Sequence, residues 1–140
     1  MVDITFLLRK YGYKVTPQRV AIYEMLASTR VHPSAEMLFQ TLLPQFPAMS
    51  LATVYKTMDI FKTVGIVTVI NVGEESFRYE LTTDHHPHLV CIRCRSVEDA
   101  IWSEGVDYKP WLLRQFDFIL HTQQLFFYGI CKICNDTEVR

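Results

Sequence analysis

The sequence predicts an α+β chain: an N-terminal winged helix followed by a smaller C-terminal unit of mixed helix and strand. Three observations predict it. Residues 16–64 carry apolar positions at helical spacing behind Ser and Thr caps. Residues 66–81 change to β-branched and alternating runs. All four cysteines lie beyond residue 90, in two CxxC pairs.

The first helix starts at Thr16-Pro17, a hydroxyl N-cap followed by proline at the first helical position. Its face is Ile22, Met25 and Leu26. Ser34, after His32-Pro33, caps a second helix with Leu38 and Leu42 one turn apart, and Pro44 and Pro47 end it. Ser50 caps a third helix that runs to about Val64, with Gly65 as its stop. Ile66 to Ile70 and Phe77 to Leu81 then read as a hairpin around the turn residues Asn71 to Ser76. Three helices and a two-stranded wing make a winged-helix domain over residues 1–81, and Thr82 to Asp84 form a short polar hinge. The second domain, residues 85–140, is expected to hold strands at His88–Cys91, after Cys94 and at Leu125–Tyr128, with a helix near Val106–Phe116.

At 140 residues, with 49% apolar and 21% charged, the chain is neither disordered nor fibrous. No apolar run approaches the ~18–20 residues that span a bilayer. Met1 to Lys10 carries Asp3 and no small-residue cleavage site, so a cytoplasmic location without membrane attachment is expected. Residues 1–65 hold seven bases and four acids; the remainder holds seven bases and eleven acids. A basic front half suits a polyanion and an acidic back half suits cations.

Cys91, Cys94, Cys131 and Cys134 offer four thiolates, the donor set of a closed, tetrahedral structural zinc site. The 36 residues between the pairs exceed zinc-ribbon spacing, so such a site would tie distant segments together. Two unrelated thiol pairs are the alternative. His86 and His88 share one face of a strand beside the first pair. With Glu80, Asp99 and His32 they make a mixed N/O donor set that suits Fe(II), Mn(II) or Zn(II). Hydrogen-bonded or solvent-facing histidines are the plainer reading, above all for His32. The helix over 50–64 puts Leu51, Val54, Met58 and Phe61 on its apolar stripe. Ala52, Lys56 and Asp59 lie broadly opposite, with Tyr55 at the flank beside Thr53. A small residue, an aromatic and a cation near a helix N-terminus suit the DNA major groove; a merely solvated face is the alternative.

Five segments together resemble one family along nearly the whole chain. They are Gly12-Tyr13-Lys14-Val15-Thr16-Pro17-Gln18-Arg19, His32-Pro33-Ser34-Ala35-Glu36, Ser50-Leu51-Ala52-Thr53-Val54-Tyr55-Lys56-Thr57-Met58, His85-His86-Pro87-His88-Leu89-Val90-Cys91 with Cys94, and Tyr128-Gly129-Ile130-Cys131 with Cys134. The chain resembles the ferric uptake regulator family of bacterial metal-dependent repressors. The resemblance implies a homodimer joined through the C-terminal α/β domain and binding double-stranded operator DNA. It implies one structural Zn(II) per subunit at Cys91, Cys94, Cys131 and Cys134. It also implies a regulatory Fe(II), Mn(II) or Zn(II) at His32, Glu80, His86, His88 and Asp99. By position it puts Lys14 near the minor groove and Tyr55 and Lys56 in the major groove, and it gives Arg19 no firm role.

The chain departs from the family pattern at several positions. Lys56 stands where many iron regulators carry Arg and peroxide regulators often carry Asn. Members with a further metal site have an acidic residue at the position of Pro87 and a histidine at that of Gln123. Here His85, Glu104 and His121 are the candidate ligands for such a site. His32-Pro33-Ser34-Ala35 resembles the peroxide-sensing branch, in which bound Fe(II) reacts with peroxide and a ligand histidine is oxidised, whereas Glu80 is the iron-sensor choice. The expectation is a repressor that senses iron, or peroxide acting through iron; a zinc- or manganese-responsive member is the alternative. The chain is not expected to be an enzyme. It has no His-Glu-x-x-His or deaminase motif, a four-thiolate zinc leaves no water position, and the paired CxxC knuckles with flanking strands do not suit a thiol oxidoreductase. A metal-binding interaction module without specific DNA binding is the reading from another class.

Overall fold

In the computed structural model, which describes residues 2–29, 31–82, 86–100, 106–121 and 123–138, Thr16, Ser34 and Ser50 each accept a backbone N–H at the start of a helix. The caps lie where the apolar periods begin, so each helix gains a partner for one orphan donor of its first turn. The first of the chain's two units, ending at residue 83, begins one helix earlier than the sequence reading. Helix α1 (Ile4–Lys10) is capped by the Asp3 carboxylate, which accepts from Thr5 and Phe6, and Arg9 and Lys10 occupy its last turn. Ile4 and Leu8, one turn apart, are buried. Tyr23 donates its hydroxyl proton to the Val2 carbonyl at 3.0 Å and anchors this segment to the next helix.

Helices α2 (Pro17–Ser28), α3 (Ala35–Leu42) and α4 (Leu51–Thr63) follow. Ile22, Tyr23 and Leu26 of α2, Leu38 and Leu42 of α3, and Val54, Met58, Ile60 and Phe61 of α4 form one core with α1. Tyr23 meets Phe61 edge to face, with centroids 6.3 Å apart. Thr57 is also buried in this stripe, and its hydroxyl donates back to the Thr53 carbonyl at 2.8 Å. Gly65, at φ +83°, takes the left-handed turn that ends α4. Strands β1 (Val67–Gly73) and β2 (Ser76–Leu81) pair antiparallel, Thr68 opposite Glu80 and Val69 opposite Tyr79. β1 runs past Ile70 because Asn71 still pairs with Phe77. Only Glu74 and Glu75 are left for the loop, and both take positive φ.

The second unit starts at residue 84 and holds strands β3 (His88–Cys91), β4 (Val97–Asp99) and β5 (Phe126–Gly129) and helices α5 (Lys109–Phe116) and α6 (Lys132–Glu138). The sheet order is β4-β3-β5, with β4 antiparallel and β5 parallel to β3. α5 begins three residues later than the sequence pattern suggests, with Pro110 in its first turn, and α6 is an addition to that pattern. The core here is thin: among the described residues only His88, Val90 and Cys91 are buried. Trp111, Phe116, Phe118, Ile119, Phe127 and Ile133 are exposed, Ile119 and Ile133 by 73% and 79%.

Candidate functional site

The four cysteines converge in the second unit. β3 delivers Cys91, the turn after it delivers Cys94, and Cys131 and Cys134 lie at the start of α6. Parallel pairing of Cys91 with Gly129, extended by the Ile92 N–H to Gly129 carbonyl bond at 2.9 Å, sets the two CxxC segments side by side. All four sulfurs lie within 4.8 Å of one another as free thiols. Cys94 Sγ and Cys131 Sγ are 3.7 Å apart. Two sulfurs bound tetrahedrally at Zn–S distances of ~2.3 Å stand about 3.8 Å apart, so the donor set fits a single zinc ion.

The surroundings favour thiolate at Cys91 and Cys94. The Cys131 N–H donates to Cys91 Sγ at 3.4 Å. This bond, with a second from the Cys94 backbone, brings the Cys91 thiol down to about 6. The Ser96 hydroxyl, 3.2 Å from Cys94 Sγ, lowers Cys94 as well. Cys134 goes the other way, pushed up to about 12 first by its contact with Cys131 and then by burial. Four thiolates this close repel one another, and a cation among them is what lets all four ionise.

Imidazoles and carboxylates are paired in each unit. In the first, the Tyr79 N–H bonds to the Pro33 carbonyl at 2.9 Å and ties the loop before α3 to β2. That brings His32 Nε2 to 2.7 Å from Glu80 Oε2, with both side chains largely shielded. In the second, His88 lies opposite Asp99 across the β3–β4 ladder. Asp99 Oδ1 is 3.1 Å from His86 Nε2 and 3.5 Å from His88 Nε2. The two rings stand 4.7 Å apart, His86 lying two residues before the start of β3. His88 is buried and stacks on Phe126. Of the further candidates, His85 and Glu104 lie outside the described residues. His121 is exposed and belongs to neither donor grouping found among the described residues.

The third set lies on the first unit's surface. Ala52, Tyr55, Lys56 and Asp59 are exposed on α4, opposite its buried stripe. Lys14 is exposed on the loop before α2, and its carbonyl accepts from the Arg19 guanidinium at 2.6 Å. Arg19 thus braces the loop that carries Lys14. Sequence reasoning also missed Glu36, in the first turn of α3. Its carboxylate accepts from the Tyr55 hydroxyl at 2.5 Å, a bond that holds the Glu36 carboxyl below its usual range and raises the Tyr55 hydroxyl. The one available signal was its place in the His32–Glu36 motif.

The profile of the ferric uptake regulator family matches residues 10–128. The peroxide-responsive repressor PerR of Staphylococcus aureus (strain USA300) is 35% identical over 129 residues, covering 92% of this chain and 87% of that protein. The ferric uptake regulator of Vibrio cholerae superposes with a TM-score of 0.74 at 34% identity, over 92% of this chain and all of that one (100%). The Helicobacter pylori regulator Fur, described as having three functional metal-binding sites, shares the fold with a TM-score of 0.82 at 20% identity, over 94% of this chain and 89% of its own.

Proposed function

The chain belongs to the ferric uptake regulator family of metal-dependent transcriptional regulators, and from that premise we propose that it is a homodimeric repressor that binds operator DNA when a regulatory metal is bound. The first unit is the winged-helix DNA-binding domain, with Tyr55 and Lys56 on its recognition helix and Lys14 on the loop before α2. The second is the dimerisation domain, and its exposed apolar side chains support that role. Cys91, Cys94, Cys131 and Cys134 hold one structural Zn(II) per subunit. His32 and Glu80 from the first unit and His86, His88 and Asp99 from the second hold the regulatory ion.

The observation that carries this reading is the pairing of imidazole with carboxylate in both units, His32 with Glu80 and His86 and His88 with Asp99. Such N/O donors suit Fe(II) or Mn(II), and Zn(II) as the alternative, better than a soft metal. When bound, the regulatory ion supplies a tie between donors of the two units. The chain's own residues do the rest. His32 and Glu80 report on the DNA-binding unit and His86, His88 and Asp99 on the dimer unit, so ligation favours one domain arrangement. Two winged helices in a dimer can then meet major grooves one helical turn apart.

The signal is iron, or peroxide acting through iron; the similarity to a peroxide-responsive repressor supports the second. The test is duplex binding by zinc-loaded protein titrated with Fe(II), Mn(II) and extra Zn(II), with and without peroxide. Metal-dependent, sequence-specific binding is expected. Binding that ignores both metal and sequence would leave only a metal-binding interaction module.

A further inference from the structure

The exposed face of α4 contains an aromatic whose polar end is already committed. Tyr55 donates its hydroxyl proton to Glu36 Oε1. Glu36 sits in the first turn of α3, two residues after the Ser34 cap that fixes where that helix begins. Arg78 of β2 adds to the arrangement: its Nη1 is 3.0 Å from the sulfur of Met37, the residue beside Glu36. The Tyr55 bond and, to a smaller extent, the Arg78 charge both favour the Glu36 carboxylate. One bond thus links the start of α3 to the start of α4, with a cation from the wing strand behind it.

An acid on a surface meant for a polyanion weakens attraction to every duplex alike. Beyond favouring the N-terminus of α3, Glu36 is, for DNA, either a plain cost to affinity or acts through a neighbour. The neighbour in reach is Tyr55. A tyrosine anchored only at its Cα explores several rotamers at an exposed site; a charge-assisted bond at the far end of the ring restricts both torsions. With its O–H engaged by Glu36, the hydroxyl has no proton to donate elsewhere, and the ring offers a fixed apolar edge and an acceptor oxygen.

Resting on the DNA-binding reading above, we propose that Glu36 is a positioning residue for sequence recognition, holding the Tyr55 ring in the orientation that meets base edges. Its effect falls on discrimination between sequences and not on general attraction to DNA, because the carboxylate itself has nothing to offer a phosphate.

The experiment uses the full-length, zinc-loaded protein with Mn(II), a duplex selected by the wild-type protein from a random-sequence library, and the unselected random pool. The variants are Glu36→Ala, Glu36→Gln, Tyr55→Phe and the double variant Glu36→Ala/Tyr55→Phe. Circular dichroism and zinc content check the fold of each. Glu36→Ala and Tyr55→Phe are each expected to lower affinity for the selected duplex about 5–30-fold, the size of losing one charge-assisted hydrogen bond. The double variant loses no more than either single one. Glu36→Gln, which keeps a carbonyl acceptor, recovers most of the loss. On the random pool, Glu36→Ala binds at least as tightly as wild type.

The proposal is overturned if Glu36→Ala leaves or raises affinity for the selected duplex, if the two single losses multiply in the double variant, or if both duplex types lose equally. Should Glu36→Ala disturb the start of α3, Tyr55→Phe and Glu36→Gln still read the same bond from its two ends. A wild-type protein that selects no duplex at all overturns the DNA-binding reading, a result distinct from all of these.

Discussion

Single side chains divide here into those whose role follows from chemistry alone and those whose role follows from a neighbour. Cys94 is of the first kind. Binding of a structural zinc to four thiolates contributes on the order of 10 kcal/mol or more to folding, and the core of the second unit is thin. Cys94→Ser is expected to release zinc, by metal analysis, and to abolish the dimer or the fold of that unit, by sedimentation and circular dichroism. An intact dimer without zinc would refute a structural role. Lys56, exposed on α4, is also of the first kind. If it meets phosphate, Lys56→Ala weakens binding to all duplexes alike and makes the salt dependence shallower by about one unit. Unchanged affinity at low salt for each of Lys14→Ala, Tyr55→Ala and Lys56→Ala would remove the assignment of this face. Arg19 and Glu36 are of the second kind: each is bonded to a residue of the proposed DNA-binding face, Lys14 or Tyr55.

Among the elements, the β1–β2 hairpin carries the least favourable local chemistry. Its two-residue loop puts Glu74 at φ +50° and Glu75 at φ +60°. A turn with positive φ at both positions is the one that asks for Asn-Gly, and a side chain in the left-handed region costs about 1–2 kcal/mol per residue. Glu75→Gly, and more so Glu74→Asn with Glu75→Gly, should therefore raise stability by about 1 kcal/mol in urea unfolding. No gain would mean that the loop's other contacts offset the backbone cost. The α4 helix shows the reverse case. Ser50 accepts from Thr53 N–H at 3.2 Å and fixes the first turn of α4, directly before Tyr55 and Lys56. Ser50→Ala should cost ~1 kcal/mol.

For the whole molecule the expected behaviour is a coupling between metal and DNA. If the regulatory ion draws donors from both units, metal raises operator affinity by the ~1–3 kcal/mol typical of linked sites, about 5–150-fold. His86→Ala should erase that dependence and leave the four-cysteine zinc in place, checked by duplex binding with and without Mn(II) alongside zinc analysis. A His86→Ala protein that still needs added metal to bind would place sensing elsewhere. No helix among the described residues is long and apolar enough to cross a membrane. The exposed apolar side chains of α5 and β5 belong to the unit proposed above to form the dimer. A second copy of the chain predicts twice the 16.4 kDa mass in sedimentation.

What was legible in the sequence was whatever depends on short-range rules. The Thr16, Ser34 and Ser50 caps, the Gly65 stop, the stripe of Val54, Met58 and Phe61 and the shared face of His86 and His88 each follow from a spacing of two to four residues. The two CxxC pairs announced their chemistry for the same reason. α1 was missed because seven residues carry too little period, although Asp3 and the Ile4–Leu8 spacing were there to find. α6 was missed because Cys131 and Cys134 read as a knuckle, which hid that the second of them lies on a helix. Tertiary structure alone decided which distant groups meet. It brought Cys94 to Cys131 through a parallel β3–β5 pairing, His32 to Glu80 through the Pro33–Tyr79 bond, and Tyr55 to Glu36 through the packing of α4 against α3. Such contacts are set by chain closure over tens of residues, a length at which local propensity and period carry no information about who the neighbour is.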